Sequence, residues 1–392
     1  MTGHWAQQVA LGWIIYEMTG SAFLLGAIGA VALFPGFFLV PIAGSLADVF
    51  EQRWLLIGTQ TLTAVQAAVL AVLIWSGGAE VWHLFALSFG VGMMHGIDIA
   101  VRQSIVASLV DRKVLTNAVA LHSITFNLAR LAGPSAAGLL LAAGQAAACF
   151  GLNAAGCAFG AFSFCMIRST PPRNTGRLRI LRDIREGFSY TWNSVPIRNG
   201  ILVLTVAGLF VFPYTALLPL FTSEILGGDA LVFGYLSAAP AVGAIFGGLY
   251  LAVRKNTGSF QGLIFSGGVA SGIVLILFAL SRWTLVAGAL LVLLGAAMLL
   301  WTASINTHLQ VMVDDSKRGR VMSFFTMAFM GAAPVGFLLS GFVAGIIGPA
   351  WTLSAGGFSA LAAVFFIHRN TTRKSEEGSF SRDPIMGPAR RN

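Results

Sequence analysis

Twelve apolar runs, split six and six by one Arg-rich stretch, constrain this chain more than any other feature. They fall near 5–18, 22–46, 54–76, 82–108, 116–143 and 146–167, then near 199–222, 231–253, 259–281, 284–310, 321–346 and 350–368. A helix crosses the roughly 30 Å hydrocarbon core with about 20 apolar residues at about 1.5 Å each. Hydrophobic residues make up 56% of the 392 positions and charged residues 10%, whereas a soluble domain carries about 25% charge. The expected fold class is therefore an all-α membrane protein with twelve transmembrane helices as two six-helix bundles. The boundaries are 1–167 for the N-terminal bundle, 168–198 for a basic cytoplasmic linker, 199–368 for the C-terminal bundle and 369–392 for a polar tail expected to be disordered.

The formal charge of +9 does not point to nucleic acid, because the charges sit in clusters between the runs. Arg112 and Lys113, the linker arginines, Arg254 and Lys255, Lys317, Arg318 and Arg320, and Arg369 onward share one side. The other side offers Glu80, Glu224, Asp229 and one base, Arg282. The positive-inside rule then puts both termini of a multi-pass membrane protein in the cytoplasm. The linker reads either as a surface helix over about 178–192, with arginines toward anionic lipid, or as a plain tether.

Cys149, Cys157 and Cys165 lie in one run, at spacings that a single helix cannot close into a disulfide, and read as small packing residues. No Gly-Lys dipeptide occurs, so the phosphate-cradling loop of an ATPase is missing and coupling falls to an ion gradient or to a separate subunit. Neither a cofactor nor a metal site is expected. The partners are a small-molecule substrate, the proton gradient and the bilayer, and the chain is expected to act as a monomer.

The halves resemble each other. Val110-Asp111 aligns with Val313-Asp314, Pro134 with Pro334, Gly20 with Gly228 and Gly26 with Gly234. Repeats of this kind describe a transporter that rocks one bundle against the other. The alignment also sets the start of the first helix about nine residues before Met1, and Thr2 to Tyr16 spans only about 22 Å at the helical rise. Helix 1 is therefore expected to be truncated.

"GSLADVFEQR", Gly44 to Arg53, closes the second run and turns into the third. It resembles the loop signature of the major facilitator superfamily, matching at Gly44, Leu46, Ala47, Asp48 and Arg53 and departing at Val49 and Glu51. "WAQQVALGWIIYEMTGS", "DIAVRQSIVASLV", "TNAVALHSITFNLARLAGP" and "DDSKRGRVMS" are similar to the branch of siderophore and macrolide exporters, over Trp5 to about His368. The resemblance implies the major facilitator fold. It makes Asp48 a gate latch against the start of helix 11, and reads Gly133-Pro134 with Gly138 as the helix-5 element of exporters. It also puts Gln7, Gln8, Asn127, Phe210, Tyr214, Trp301 and Asn306 on cavity-lining helices. Each of these singly is expected to be a packing residue more often than a ligand contact.

Asp98 and Arg102 lie one turn apart and can pair as part of the gate, with snorkelling of Arg102 as the alternative. Arg130 falls near the bilayer middle with no acid in its own helix, either facing an anionic or catechol-type substrate or bonding backbone carbonyls. Glu17 and Asp98 are the candidates for carrying a proton, with His95, His122 and His308 also within or beside spans. The function expected is export of a siderophore or drug-like amphiphile, probed against a small-metabolite importer and a lipid flippase or non-transporting partner. No enzymatic activity is expected.

Overall fold

A computed structural model resolves the chain into twelve long helices among the described residues, with no strand among them. The structure describes residues 1–109, 115–167, 189–254, 260–313 and 315–380, without side-chain detail at 40–49, 100, 103–109, 115–120, 315–320, 323–324 and 370–380. The first six helices are α1 (Thr2–Thr19), α2 (Ala22–Val49), α3 (Gln52–Trp75), α4 (Val81–Leu109), α5 (Leu115–Ala142) and α6 (Ala146–Met166). The second six are α7 (Val195–Glu224), α8 (Ala230–Val253), α9 (Phe260–Leu280), α10 (Thr284–Met312), α11 (Asp315–Ile347) and α12 (Pro349–Phe380). In hydrocarbon every backbone N–H and C=O must be bonded within the segment, which leaves apolar runs of this length no other choice.

Among the described residues, ten of the twelve contain a stretch long and apolar enough to cross a membrane; α1 and the described part of α4 do not. Among the described residues, the five glycines with positive φ, at 20, 77, 144, 227 and 348, sit in odd-to-even connections, opposite the basic loops. At Gly20 the left-handed conformation lets the backbone N–H bond Tyr16 O at 2.8 Å and end α1 in a single step. These connections can therefore be short; they define a turn face opposite the basic face.

Helix packing repeats. In the first half α1 packs on α5 and α6, α2 on α4, and α3 on α4 and α6. In the second half α7 packs on α11 and α12, α8 on α10, and α9 on α10 and α12, which is the same pattern shifted by six. The halves join through α2 with α11 and through α5 with α8, again a pair related by that shift.

Glycine makes both joints possible. A Cβ on Gly138 of α5 would lie 2.8 Å from the Gly234 Cα of α8, and one on Gly341 of α11 would lie 3.0 Å from the Gly26 Cα of α2. Gly26 and Gly234 are the pair that the internal repeat aligns. Backbones this close need residues without side chains, as at other helix crossings in membranes. Within the halves, Gly133 faces the Thr2 carbonyl of α1 and Gly336 faces the Gly208 and Leu209 carbonyls of α7.

Two elements differ from the sequence expectation. The seventh run is one span but not one regular helix: a π turn over Ala207–Val211 divides it, with Phe212 N–H donating to Ala207 O at 2.9 Å. Pro213 has no N–H to give to the Leu209 carbonyl, which releases that turn from the usual bonding. The last helix continues to Phe380 through Arg373, Lys374, Glu376 and Glu377, good helix formers that lie past the tail boundary set at 369. The proposed surface helix over 178–192 lies mostly outside the described residues.

Candidate functional site

Among the described residues, a dense polar constellation is built where α1, α3 and α4 meet. Arg102 donates from Nε to Asp98 Oδ2 and from Nη2 to Oδ1, both at 2.9 Å, a bidentate fork one turn long. From α3, Gln60 Nε2 donates to Asp98 Oδ1 at 2.9 Å. Thr59 Oγ1 approaches the same oxygen at 3.4 Å but has a shorter option, Leu56 O at 3.1 Å. Phe164 of α6 receives the Arg102 guanidinium over its ring at 5.5 Å. One turn back along α4, His95 stacks on His4 of α1, with ring centroids 4.9 Å apart and planes 13° from parallel.

Gate residues divide between described and undescribed. Gly44 and Asp48 fall where side chains lie outside the described residues; only their helical backbone in α2 is on view. Arg53 donates from Nη2 to Cys165 O at 2.7 Å and stands over Trp54 at 5.4 Å. It thereby caps one of the carbonyls that the end of α6 leaves unpaired. Among the described residues, then, the partners of Arg53 and Arg102 are a backbone carbonyl and Asp98.

Deeper in the first bundle, Gln7 turns inward. It is 5% exposed, accepts from Asn153 Nδ2 at 2.8 Å and donates to Gln66 Oε1 at 3.3 Å, joining α1, α3 and α6. Its assignment to the cavity is therefore corrected: a buried amide in an apolar bundle must find polar partners, and they lie inside. Asn153→Leu would leave the Gln7 carbonyl unpaired and is expected to cost about 1–3 kcal/mol, read as a lower melting temperature in detergent against an Asn153→Gln control. Trp301 is corrected likewise. It is fully buried, seated against Gly267 and Gly268 of α9 inside the second bundle.

The other cavity candidates differ in exposure. Gln8 is exposed and Phe210 half-buried, while Tyr214 is buried at 2% exposure. Asn306 is half-buried and accepts from Gln310 one turn on. Asn127 donates to Ser123 O at 2.9 Å. Arg130 is half-buried, stands over the Trp5 ring of α1 at 5.8 Å, and interacts electrostatically with Tyr214 of α7 in the other half. No carboxylate pairs with it among the described residues. Glu17 is exposed near the turn face and accepts from Trp13 Nε1 at 2.6 Å.

With fold and site described, likeness to other proteins becomes specific. Residues 1–390 match the family model described as transmembrane secretion effectors. The chain belongs to that family, a branch of the major facilitator superfamily. Among the curated members of the superfamily, the staphyloferrin A transporter of Staphylococcus aureus is 29% identical over 96% of each chain. The enterobactin exporter EntS of Shigella flexneri is 24% identical over 88% of this chain and 83% of its own, and macrolide efflux protein A of Streptococcus pyogenes is 22% identical over 94% and 92%. A solved POT family transporter shares the fold with a TM-score of 0.77 at 13% identity, covering 95% of this chain and 93% of that one. The nucleoside transporter NupG superposes at 0.72 with 12% identity over 93% and 96%. The facilitator fold is thereby shown, as is the multi-pass membrane character.

Sequence reading missed His4, Gln60, Gln66 and Asn153. A signal was present, since both histidines of the stacked pair lie in or beside apolar runs, where a polar ring is costly.

Proposed function

We propose that this chain is a proton-driven secondary exporter of a siderophore or drug-like amphiphile in a bacterial cytoplasmic membrane. Its basic face and both termini lie toward the cytoplasm, and one chain forms the working unit. The two halves rock about the seam formed by α2 with α11 and α5 with α8, exposing a midplane site to each side in turn. Asp48, with Asp98, Arg102 and Arg53 nearby, closes the basic face.

The observation that carries the reading is Arg130, a cation midway along a spanning helix with no carboxylate partner among the described residues. A charge in that position is costly and is retained where it serves a ligand or a pathway. It lies within reach of both halves, and the Trp5 ring beside it suits an aromatic or catechol ligand. The relatives named for staphyloferrin A and enterobactin support the substrate class, and the macrolide and multidrug relatives support its breadth.

Inside-out vesicles containing the full chain, screened with staphyloferrin A, enterobactin and a macrolide under an imposed pH gradient, test the proposal. Uptake into such vesicles supports export. Accumulation of the same compounds by intact cells would make the protein an importer. Arg130→Gln is expected to slow an anionic siderophore about tenfold or more, the worth of one charged hydrogen bond, and to spare a macrolide. Equal loss for both would make Arg130 a structural hub.

A further inference from the structure

We infer that the stacked imidazoles of His4 and His95 are the group that takes up and releases the coupling proton. The inference rests on the proton-driven reading above and assigns that role to a pair of residues. Three observations carry it.

Asp98 is poorly suited to the role. Both of its oxygens are held at 2.9 Å by Arg102, and Gln60 adds a third bond at 2.9 Å. A proton on this carboxylate would break the fork and leave the guanidinium charge uncompensated in a spanning segment. Glu17 is exposed near the turn face, bound to Trp13 on its own helix and away from the polar constellation. The carboxylates thus serve as fixed partners rather than carriers.

The imidazoles have the opposite character. Neither ring has a hydrogen bond to a described residue, so the ring nitrogens are not committed to a fixed partner there. They sit within two helices of the first half, each in or beside an apolar run. His95 lies near the middle of α4, and His4 lies beside it on α1, which packs against α5 and α6 and touches α7 and α8 of the other half.

The stack also limits the stoichiometry. Two imidazolium rings 4.9 Å apart repel, so the pair holds one proton at a time. An imidazole nitrogen binds the proton from the turn face and gives it up to water on the basic face, while substrate moves the other way. The charged and titratable groups around the pair are Asp98 and Arg102 on α4 and the α-amino group of Met1 on α1. Arg130 comes from α5 beside Trp5, and Cys157 from α6 near Asn153. From α3 the neighbours are neutral, Thr59 and Gln60, and the described side chains of α2 include no titratable group. Asp98 and Arg102 carry opposite charges beside the pair, so breaking their fork during rocking would change the electrostatic field at the rings.

Two measurements on the full chain test the inference. The Trp5 ring lies 6.1 Å from His4, close enough for an imidazolium to quench its fluorescence. The pH titration of purified wild type minus that of Trp5→Phe is expected to show one transition, lost in His4→Gln and displaced in His95→Gln. A transition unchanged in both variants overturns the inference, whatever the substrate proves to be. In proteoliposomes, the wild type is expected to concentrate staphyloferrin A, enterobactin or a macrolide about tenfold per unit of pH gradient, the value for one proton. His95→Gln and His4→Gln are expected to lose this concentration while still exchanging labelled for unlabelled probe. Gradient-driven concentration that persists in the double variant overturns the inference alone. A wild type that ignores the gradient overturns the proton-driven reading and the coupling role with it.

Discussion

Valine in place of Gly138 is expected to abolish gradient-driven transport while the protein still reaches the membrane. A Cβ at that position would meet Gly234 Cα at 2.8 Å, Leu231 O at 3.2 Å and Ala230 O at 3.3 Å. All three are backbone atoms of α8, so no rotamer change relieves the clash and the halves must separate at the turn face. Overpacking of this kind costs about 1–3 kcal/mol. Spent on one of two balanced states, that shifts their ratio by about five- to 150-fold. Gly341→Val, at the twofold-related joint against Gly26, is expected to act alike. Gly151→Ala and Gly345→Ala, with nothing within 4 Å of an added Cβ, are the controls. Wild-type transport rates in Gly138→Val would sink the idea that this crossing must close.

Arg102 gives the second large effect. Replacing Asp98 with Ala is expected to lower stability by about 3 kcal/mol, because the guanidinium keeps its charge and loses its counter-ion. The figure sits at the low end for such pairs because the Arg102 side chain is 27% exposed and water can shield it in part. Transport is expected to fall with stability, since α3 and α4 lose the bond from Gln60 that joins them. With Asp98 present, Arg102→Lys keeps the charge without the planar fork and is expected to retain only part of the stability. Thermal melting in detergent, with membrane yield, reads the result. An Asp98→Ala protein as stable as wild type would mean that the pair is surface decoration.

Much of the architecture was legible in the residues. Run length gave the helices, and the alignment of Gly26 with Gly234 anticipated the two positions that meet Gly341 and Gly138 across the halves. Arg130 could be placed mid-helix by counting from Thr116, and the spacing of Asp98 and Arg102 gave their pairing. Less legible was which face of a helix meets protein and which meets lipid. Gln7 and Trp301 lie on helices expected to line the cavity, yet both are packing residues buried inside their own bundles, the commoner expectation for each taken singly. Hydropathy cannot separate these cases, because lipid tails are as apolar as a packed core.

The sequence by itself determined the membrane class, the two groups of six spans, the basic face and the internal repeat. Each of these depends on local composition and on spacing along one helix. Tertiary structure decided the contacts between helices distant in the chain: His4 on His95, Gln7 with Gln66 and Asn153, Arg53 on Cys165, and glycine on glycine at the seam. Helical periodicity fixes the direction of a side chain on its own axis, but the rotation and neighbour of that axis come only from packing the whole bundle.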